Sequence, residues 1–138
     1  MADYLPALSL YIHLPWCVRK CPYCDFNSHR AGDNPPRRRY IDALKRDLQN
    51  EVPRAEQRTI VSIFLGGGTP SLFTADEIAE VLEECGKQFQ LADDCEITME
   101  ANPGTVERGT LAHYRQAGVN RLSLGAQSFS ADTLDVLG

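Results

Sequence analysis

The chain has 138 residues, a net charge of −5, 43% apolar residues and 24% charged ones, a composition ordinary for a single globular domain. The acidic balance offers no footprint for nucleic acid, and the one basic run, Arg37, Arg38 and Arg39 after Pro35-Pro36, reads as the solvated start of a helix. The longest apolar stretch lies around Ile60 to Leu65, far short of the roughly 18 to 20 residues that cross a bilayer, so no membrane-spanning segment is expected.

In chain order, the first predicted strand is Leu8 to Leu14, where Leu8, Leu10, Ile12 and Leu14 alternate with Ser9, Tyr11 and His13. A helix is predicted from Arg37 to Val52, with Tyr40, Ile41, Leu44 and Leu48 at helical spacing. Ile60 to Leu65 is a second strand. The helix after it, Ala75 to Phe89, carries Ile78, Val81, Leu82 and Cys85 on one face and has Thr74 as its N-cap. Cys95 to Glu100 is a third strand, Thr105 to Ala117 its helix, and Gly118 the C-cap that stops it. Val119 to Leu124 is a fourth strand, and Ser130 to Leu137 begins another helix. Four strand–helix units in series predict an α/β fold with a parallel sheet.

The alternation within the strands sharpens that expectation. Ile97 and Met99 alternate with Glu96, Thr98 and Glu100 as the leucines of the first strand do with Ser9, Tyr11 and His13. A doubly wound sheet buries both faces and gives continuous apolar runs. One greasy and one polar face instead suit a barrel, with helices outside and the polar face turned to a lumen. Four units cannot close a barrel of six or eight strands. Residues 1–138 are therefore expected to be the N-terminal portion of a longer barrel, with the fourth strand at its edge.

Three cysteines, Cys17, Cys21 and Cys24, have three residues between the first pair and two between the second. That is one ligand short of a closed tetrahedral site, which suggests a metal centre with one position open to a ligand. A zinc site completed by His13 or His29 is the alternative. The five cysteines are odd in number, and Met1-Ala2-Asp3-Tyr4 is no secretory leader, so reduced thiols in a cytoplasm are expected rather than disulfides. Cys85 and Cys95 read as packing residues, on a helix face and a strand.

Gly66-Gly67-Gly68-Thr69-Pro70 follows the second strand directly. The run lets backbone groups approach a ligand closely, and it is not a phosphate loop, because no Gly-Lys-Ser/Thr follows. Glu100 ends the third strand on its polar phase, either as an acceptor for a ligand or as the partner of Arg121. Gln127 follows the fourth strand, either as a ligand amide or as a loop former. The cysteine loop, the glycine run, Glu100 and Gln127 all fall at carboxyl ends of strands, the end that carries barrel active sites.

The cysteine spacing, the glycine run and Glu100-Ala101-Asn102-Pro103 resemble the radical S-adenosylmethionine (SAM) superfamily. Tyr11-Ile12-His13-Leu14-Pro15-Trp16-Cys17 through Cys24-Asp25-Phe26-Asn27-Ser28 is similar to the oxygen-independent coproporphyrinogen III oxidase family, and within it to the HemW-type heme chaperones. The resemblance implies a [4Fe-4S] cluster on Cys17, Cys21 and Cys24, with SAM chelating the remaining iron and cleaved by one electron to a radical. It also implies one SAM position at Tyr11, Gly67 and Glu100, and a second at Tyr23, Gly68, Thr69 and Gln127. The true oxidases carry a fourth cysteine where this chain has Phe26. That departure makes coproporphyrinogen dehydrogenase activity doubtful and favours binding heme and delivering it to acceptor proteins, with an electron donor as a further partner. The family's C-terminal domain lies outside residues 1–138. No catalytic residue and no heme ligand is assigned; His13, His29 and His113 qualify by residue type alone.

Overall fold

The computed structural model describes residues 5–105 and 108–137. Strand β1 (Leu8–Leu14) is followed by two short strands, β2 (Trp16–Cys17) and β3 (His29–Arg30), and by helix α1 (Arg37–Ala55). Then come β4 (Ile60–Gly67), a 3-10 turn at Pro70–Leu72, α2 (Ala75–Gln88) and β5 (Leu91–Ala101). A second 3-10 turn at Pro103–Thr105 precedes α3 (Arg108–Gln116), β6 (Arg121–Leu124) and α4 (Ala131–Leu137). No described helix is long and apolar enough to cross a membrane.

The main sheet has the order β1-β4-β5-β6, with every pairing parallel. Its apolar face, with Ile12, Leu14, Ile63, Leu65 and Met99, packs against Ile41 and Leu48 of α1, Ile78, Val81, Leu82 and Cys85 of α2, and Tyr114 of α3. Burying each such aliphatic side chain contributes about 1.5 to 3 kcal/mol. Tyr114 is buried with its polar tip satisfied: the hydroxyl lies 2.6 Å from the Phe73 carbonyl and 3.1 Å from that of Ser71. The opposite face is polar, as the alternation predicts. Register sets Tyr11, Phe64, Thr98 and Arg121 side by side, and nearer the carboxyl ends His13, Gly66, Glu100 and Ser123.

Several boundaries differ from expectation for identifiable reasons. Helix α1 continues past Val52 to Ala55 although Pro53 lies inside it. Pro53 forfeits the one N–H bond back to the Gln49 carbonyl, the helix ends within three residues of it, and Glu56, with φ 51°, stops the helix in the left-handed region. Strand β5 begins at Leu91 rather than Cys95, because Leu91 pairs with Ile60 before a bulge resets the register at Ser62. The expected helix start at Thr105 falls in the 3-10 turn, and α3 is described from Arg108. Val119 and Asn120 precede β6 instead of belonging to it. Val119 N–H donates to the Tyr114 carbonyl at 3.0 Å, and the Asn120 side chain bonds both Ile97 N–H and the Cys95 carbonyl. At α2 the Thr74 cap is present in full, with Glu77 reciprocating as a capping box.

Candidate metal and cofactor site

The cysteine loop leaves β1 through the buried Pro15, with Cys17 in β2 and Cys21 and Cys24 on the bend that leads to β3. Cys24 N–H donates to the Cys21 carbonyl at 3.1 Å, a one-turn closure that brings those two residues together. The loop returns onto its own start: His29 N–H donates to the Pro15 carbonyl and Ala31 N–H to that of Cys17, each at 2.8 Å. All three thiols are free and half-buried. Among the described residues no three His, Cys, Asp or Glu side chains converge tightly enough to hold a metal ion as they stand.

Side chains clamp the segment after Cys24. Lys20 Nζ donates to the carbonyls of Phe26 and Ser28, each at 3.3 Å, and Ser28 N–H reaches the Phe26 carbonyl at 2.7 Å. His13 Nε2 lies 2.7 Å from the Asn27 carbonyl. A carbonyl only accepts, so Nε2 carries the proton, and in the neutral ring Nδ1 accepts from the Tyr11 hydroxyl at 3.0 Å. Both nitrogens of His13 are thus engaged, which argues against His13 as the fourth ligand of a zinc site. His29 is exposed on β3 and His113 on the solvated side of α3.

The glycine run has a role that its sequence does not disclose. A Cβ at Gly68 would stand 2.7 Å from the Pro15 carbonyl carbon and the Trp16 oxygen, and one at Gly67, where φ is +114°, would collide with the His13 imidazole. The missing side chains let the chain close on itself. Gly68 N–H donates to the Leu14 carbonyl at 2.8 Å and Thr69 N–H to the Trp16 carbonyl at 2.7 Å, which seals β4 to the root of the cysteine loop. The Gly67 amide is engaged by Glu100 Oε2 at 3.1 Å. Gly66 is buried, and the space of a Cβ there is already filled by the Phe64 ring at 2.7 Å and Glu100 Oε2 at 3.0 Å.

Of the predicted contacts, Tyr11, Gly67 and Glu100 form one group around His13. The Tyr11 hydroxyl is held above its ordinary pKa by burial and then by the Glu100 charge. Glu100 does not pair with Arg121, whose guanidinium binds Glu96 at 2.9 Å beside Thr98. Tyr23, Gly68 and Thr69 lie on or against the cysteine loop, and the Tyr23 hydroxyl is raised chiefly by its hydrogen bond to Cys21. Gln127 sits in the exposed loop beyond β6, near Gly125. Cys85 and Cys95 are buried, and burial pushes the Cys85 thiol up to about 12 and raises that of Cys95. Both are apolar packing groups, as expected. The clamps from Lys20 and His13 are contacts that sequence reasoning missed; only the shared strand face of Tyr11 and His13 hinted at one of them.

A strand-borne loop of three free thiols, closed by a glycine run and flanked by a polar row at the carboxyl ends of a parallel sheet, describes a cofactor-binding α/β core. The sequence model of the radical SAM superfamily matches residues 11–138, and the chain belongs to that superfamily. It is similar to the heme chaperone HemW of Haemophilus influenzae, 54% identical over 97% of this chain and 36% of that protein. HemW of Escherichia coli is 53% identical over 97% of this chain and 35% of its own length. A solved structure described as "Coproporphyrinogen III oxidase (HemN) from Escherichia coli is a Radical SAM enzyme" matches with a TM-score of 0.86 at 31% identity, over 99% of this chain and 32% of that one. The chain thus spans about a third of the length of these relatives. Membership implies an iron–sulfur cluster and SAM as cofactors. The donor set fits: three free thiols in one clamped loop are soft ligands suited to iron–sulfur chemistry.

Proposed function

We propose that this chain is the cluster- and SAM-binding part of a cytoplasmic heme chaperone. Cys17, Cys21 and Cys24 hold a [4Fe-4S] cluster, and the group Tyr11, Gly67 and Glu100 receives SAM. Tyr23, Gly68, Thr69 and Gln127 serve a second SAM position. When bound, these cofactors supply the one-electron chemistry. The chain's own part is to clamp the cysteine loop through His13 and Lys20, to seal its root with Gly68 and Thr69, and to present the Glu100 carboxylate on an otherwise uncovered polar face. Heme is the cargo, heme-accepting proteins are the partners, and an electron donor reduces the cluster. In this reading residues 1–138 are one portion of a larger barrel, with a further domain beyond it.

The observation that carries the chaperone reading is Phe26. It stands where the oxidases carry a further cysteine, its ring is 62% exposed, and its carbonyl is taken by Lys20 and Ser28. The 54% identity to a protein named a heme chaperone points the same way. The likeness in fold to coproporphyrinogen III oxidase keeps oxidative decarboxylation of a porphyrinogen as the second reading. Anaerobic assays of the protein at its relatives' full length separate the two. Heme binding to the reconstituted protein without carbon dioxide release from coproporphyrinogen is the expected result. Turnover of coproporphyrinogen with SAM and a reductant would promote the oxidase reading.

A further inference from the structure

Charge is spread unevenly along the chain. From Cys17 to Arg46 there are eight Lys and Arg residues against three Asp, while the rest of the chain has six basic residues against sixteen acidic ones. That basic stretch holds the cysteine loop and the first half of α1, and the fold keeps the two together. Tyr40, in the first turns of α1, donates its hydroxyl to the His13 carbonyl at 2.7 Å, and its ring meets that of Trp16, the neighbour of Cys17, with centroids 5.0 Å apart. Ala31 N–H holds the Cys17 carbonyl at 2.8 Å. Asn34, three residues further and so within about 11 Å of Ala31, borders an open depression of about 630 Å³ at the start of α1.

Arg37, Arg38, Arg39 and Arg46 line that depression, together with Asp42 and Glu77. Arg37 is paired with Glu77, and Arg38 with Asp42 and Glu80. Arg39 and Arg46, both exposed and two turns apart on one helix face, have no ion pair among the described residues. The helix does not need them for stability. Its first turn has no acidic residue and no side-chain cap, and cations at that end oppose the helix dipole. We propose that this face docks an electron-carrying protein whose redox group is ringed by acidic residues, with the carrier's carboxylates on Arg39 and Arg46, and that one electron passes from it to the cluster on the adjoining cysteine loop. The proposal rests on the reading of Cys17, Cys21 and Cys24 as cluster ligands. The carrier is oxidised by one electron and the cluster reduced by one; no bond forms or breaks. Opposite charges steer such an encounter and raise its rate by roughly ten- to a thousandfold at low salt.

The test is a stopped-flow measurement of cluster reduction in the protein at its relatives' full length, reconstituted anaerobically, with an excess of reduced plant-type [2Fe–2S] ferredoxin as the acidic carrier. The parent's second-order rate constant should fall steeply as salt rises. The double variant Arg39→Glu with Arg46→Glu should be about tenfold slower at low ionic strength and should approach the parent in roughly 0.5 M salt, where the charges are screened. The methyl viologen radical, a small cation, should reduce the variant no more slowly than the parent. The variant's melting temperature should stay level or rise, since an acid in that first turn suits the dipole. A ferredoxin rate that ignores salt, or a variant as fast as the parent, overturns the docking. A variant slowed equally with methyl viologen overturns it too, because the arginines would then support the loop rather than meet a partner. A parent protein that takes up no iron and sulfide removes the cluster reading instead, and with it the destination of the electron.

Discussion

His13 touches three parts of the site: Tyr11 through Nδ1, the cysteine loop through Nε2, and the space in which a Cβ at position 67 would lie. Gly67→Ala is therefore expected to cost about 1 to 3 kcal/mol by overpacking, together with the strain of a left-handed φ. In a His13→Ala background the collision disappears and the strain remains. Urea unfolding of the four proteins of that cycle should give a smaller cost for Gly67→Ala in the second background, and equal costs would show that the ring is not what it meets. Replacing Cys17, Cys21 or Cys24 by serine should abolish reconstituted cluster, whereas Cys85→Ala should leave iron and sulfide intact and lower only the melting temperature. Retention of cluster in any of the first three sinks the ligand assignment. The placement of the cysteine triplet in one loop after β1 and of Glu100 at the carboxyl end of β5 was legible in the sequence, because spacing and strand phase are sequence properties. The clamps by His13 and Lys20 were not, since both end on backbone carbonyls, which every residue carries and no sequence distinguishes.

The helices were the most readable elements, because their apolar faces are long enough to show a period. The ladder of β2 and β3 was missed because two residues cannot display an alternation. The start of β5 was missed because the bulge at Ile60 and Ser62 breaks it. What joins α1 to α2 on the surface is charge: Arg38 and Lys45 converge on Glu80, at 2.6 and 2.8 Å, and Arg37 reaches Glu77 at 3.2 Å. Arg38 and then Lys45 hold the Glu80 carboxyl down at about 2, against an ordinary 4.5. A carboxyl with a lower pKa folded than unfolded contributes stability in full above its unfolded value, and that contribution is lost as pH falls through the folded one. The loss should run from about pH 4.5 down to about 2. These groups are solvated and screened by salt, so the effect is small. Glu80→Gln should flatten the acid limb of a stability-versus-pH curve at low ionic strength, and an unaltered limb would show the network to be inert. Thr74→Ala, which removes the capping box of α2, should cost about 1 kcal/mol in the same measurement.

Across the whole molecule the core is uneven. Helices α1, α2 and α3 cover the apolar face of the sheet, while α4 buries no residue, and Leu124, Phe129 and Val136 stand exposed around it. Hydrogen exchange of residues 1–138 alone should find β1, β4 and β5 protected to nearly the global stability, and β6 and α4 opening far more readily. Uniform protection through Leu137 would contradict that gradient. In a protein of the relatives' length the protection of β6 is expected to rise, since an open parallel edge invites pairing. The strand order β1-β4-β5-β6 is also the order of translation, so in a nascent chain each strand emerges to find its neighbour already made. For the cysteine loop that schedule imposes a delay. Its cysteines leave the ribosome early, but Gly68 and Thr69, which bond to Leu14 and Trp16 and seal its root, come only after β4. Iron delivered before then would meet thiols on an unfastened loop, so in the proposed reading cluster insertion follows the docking of the second long strand.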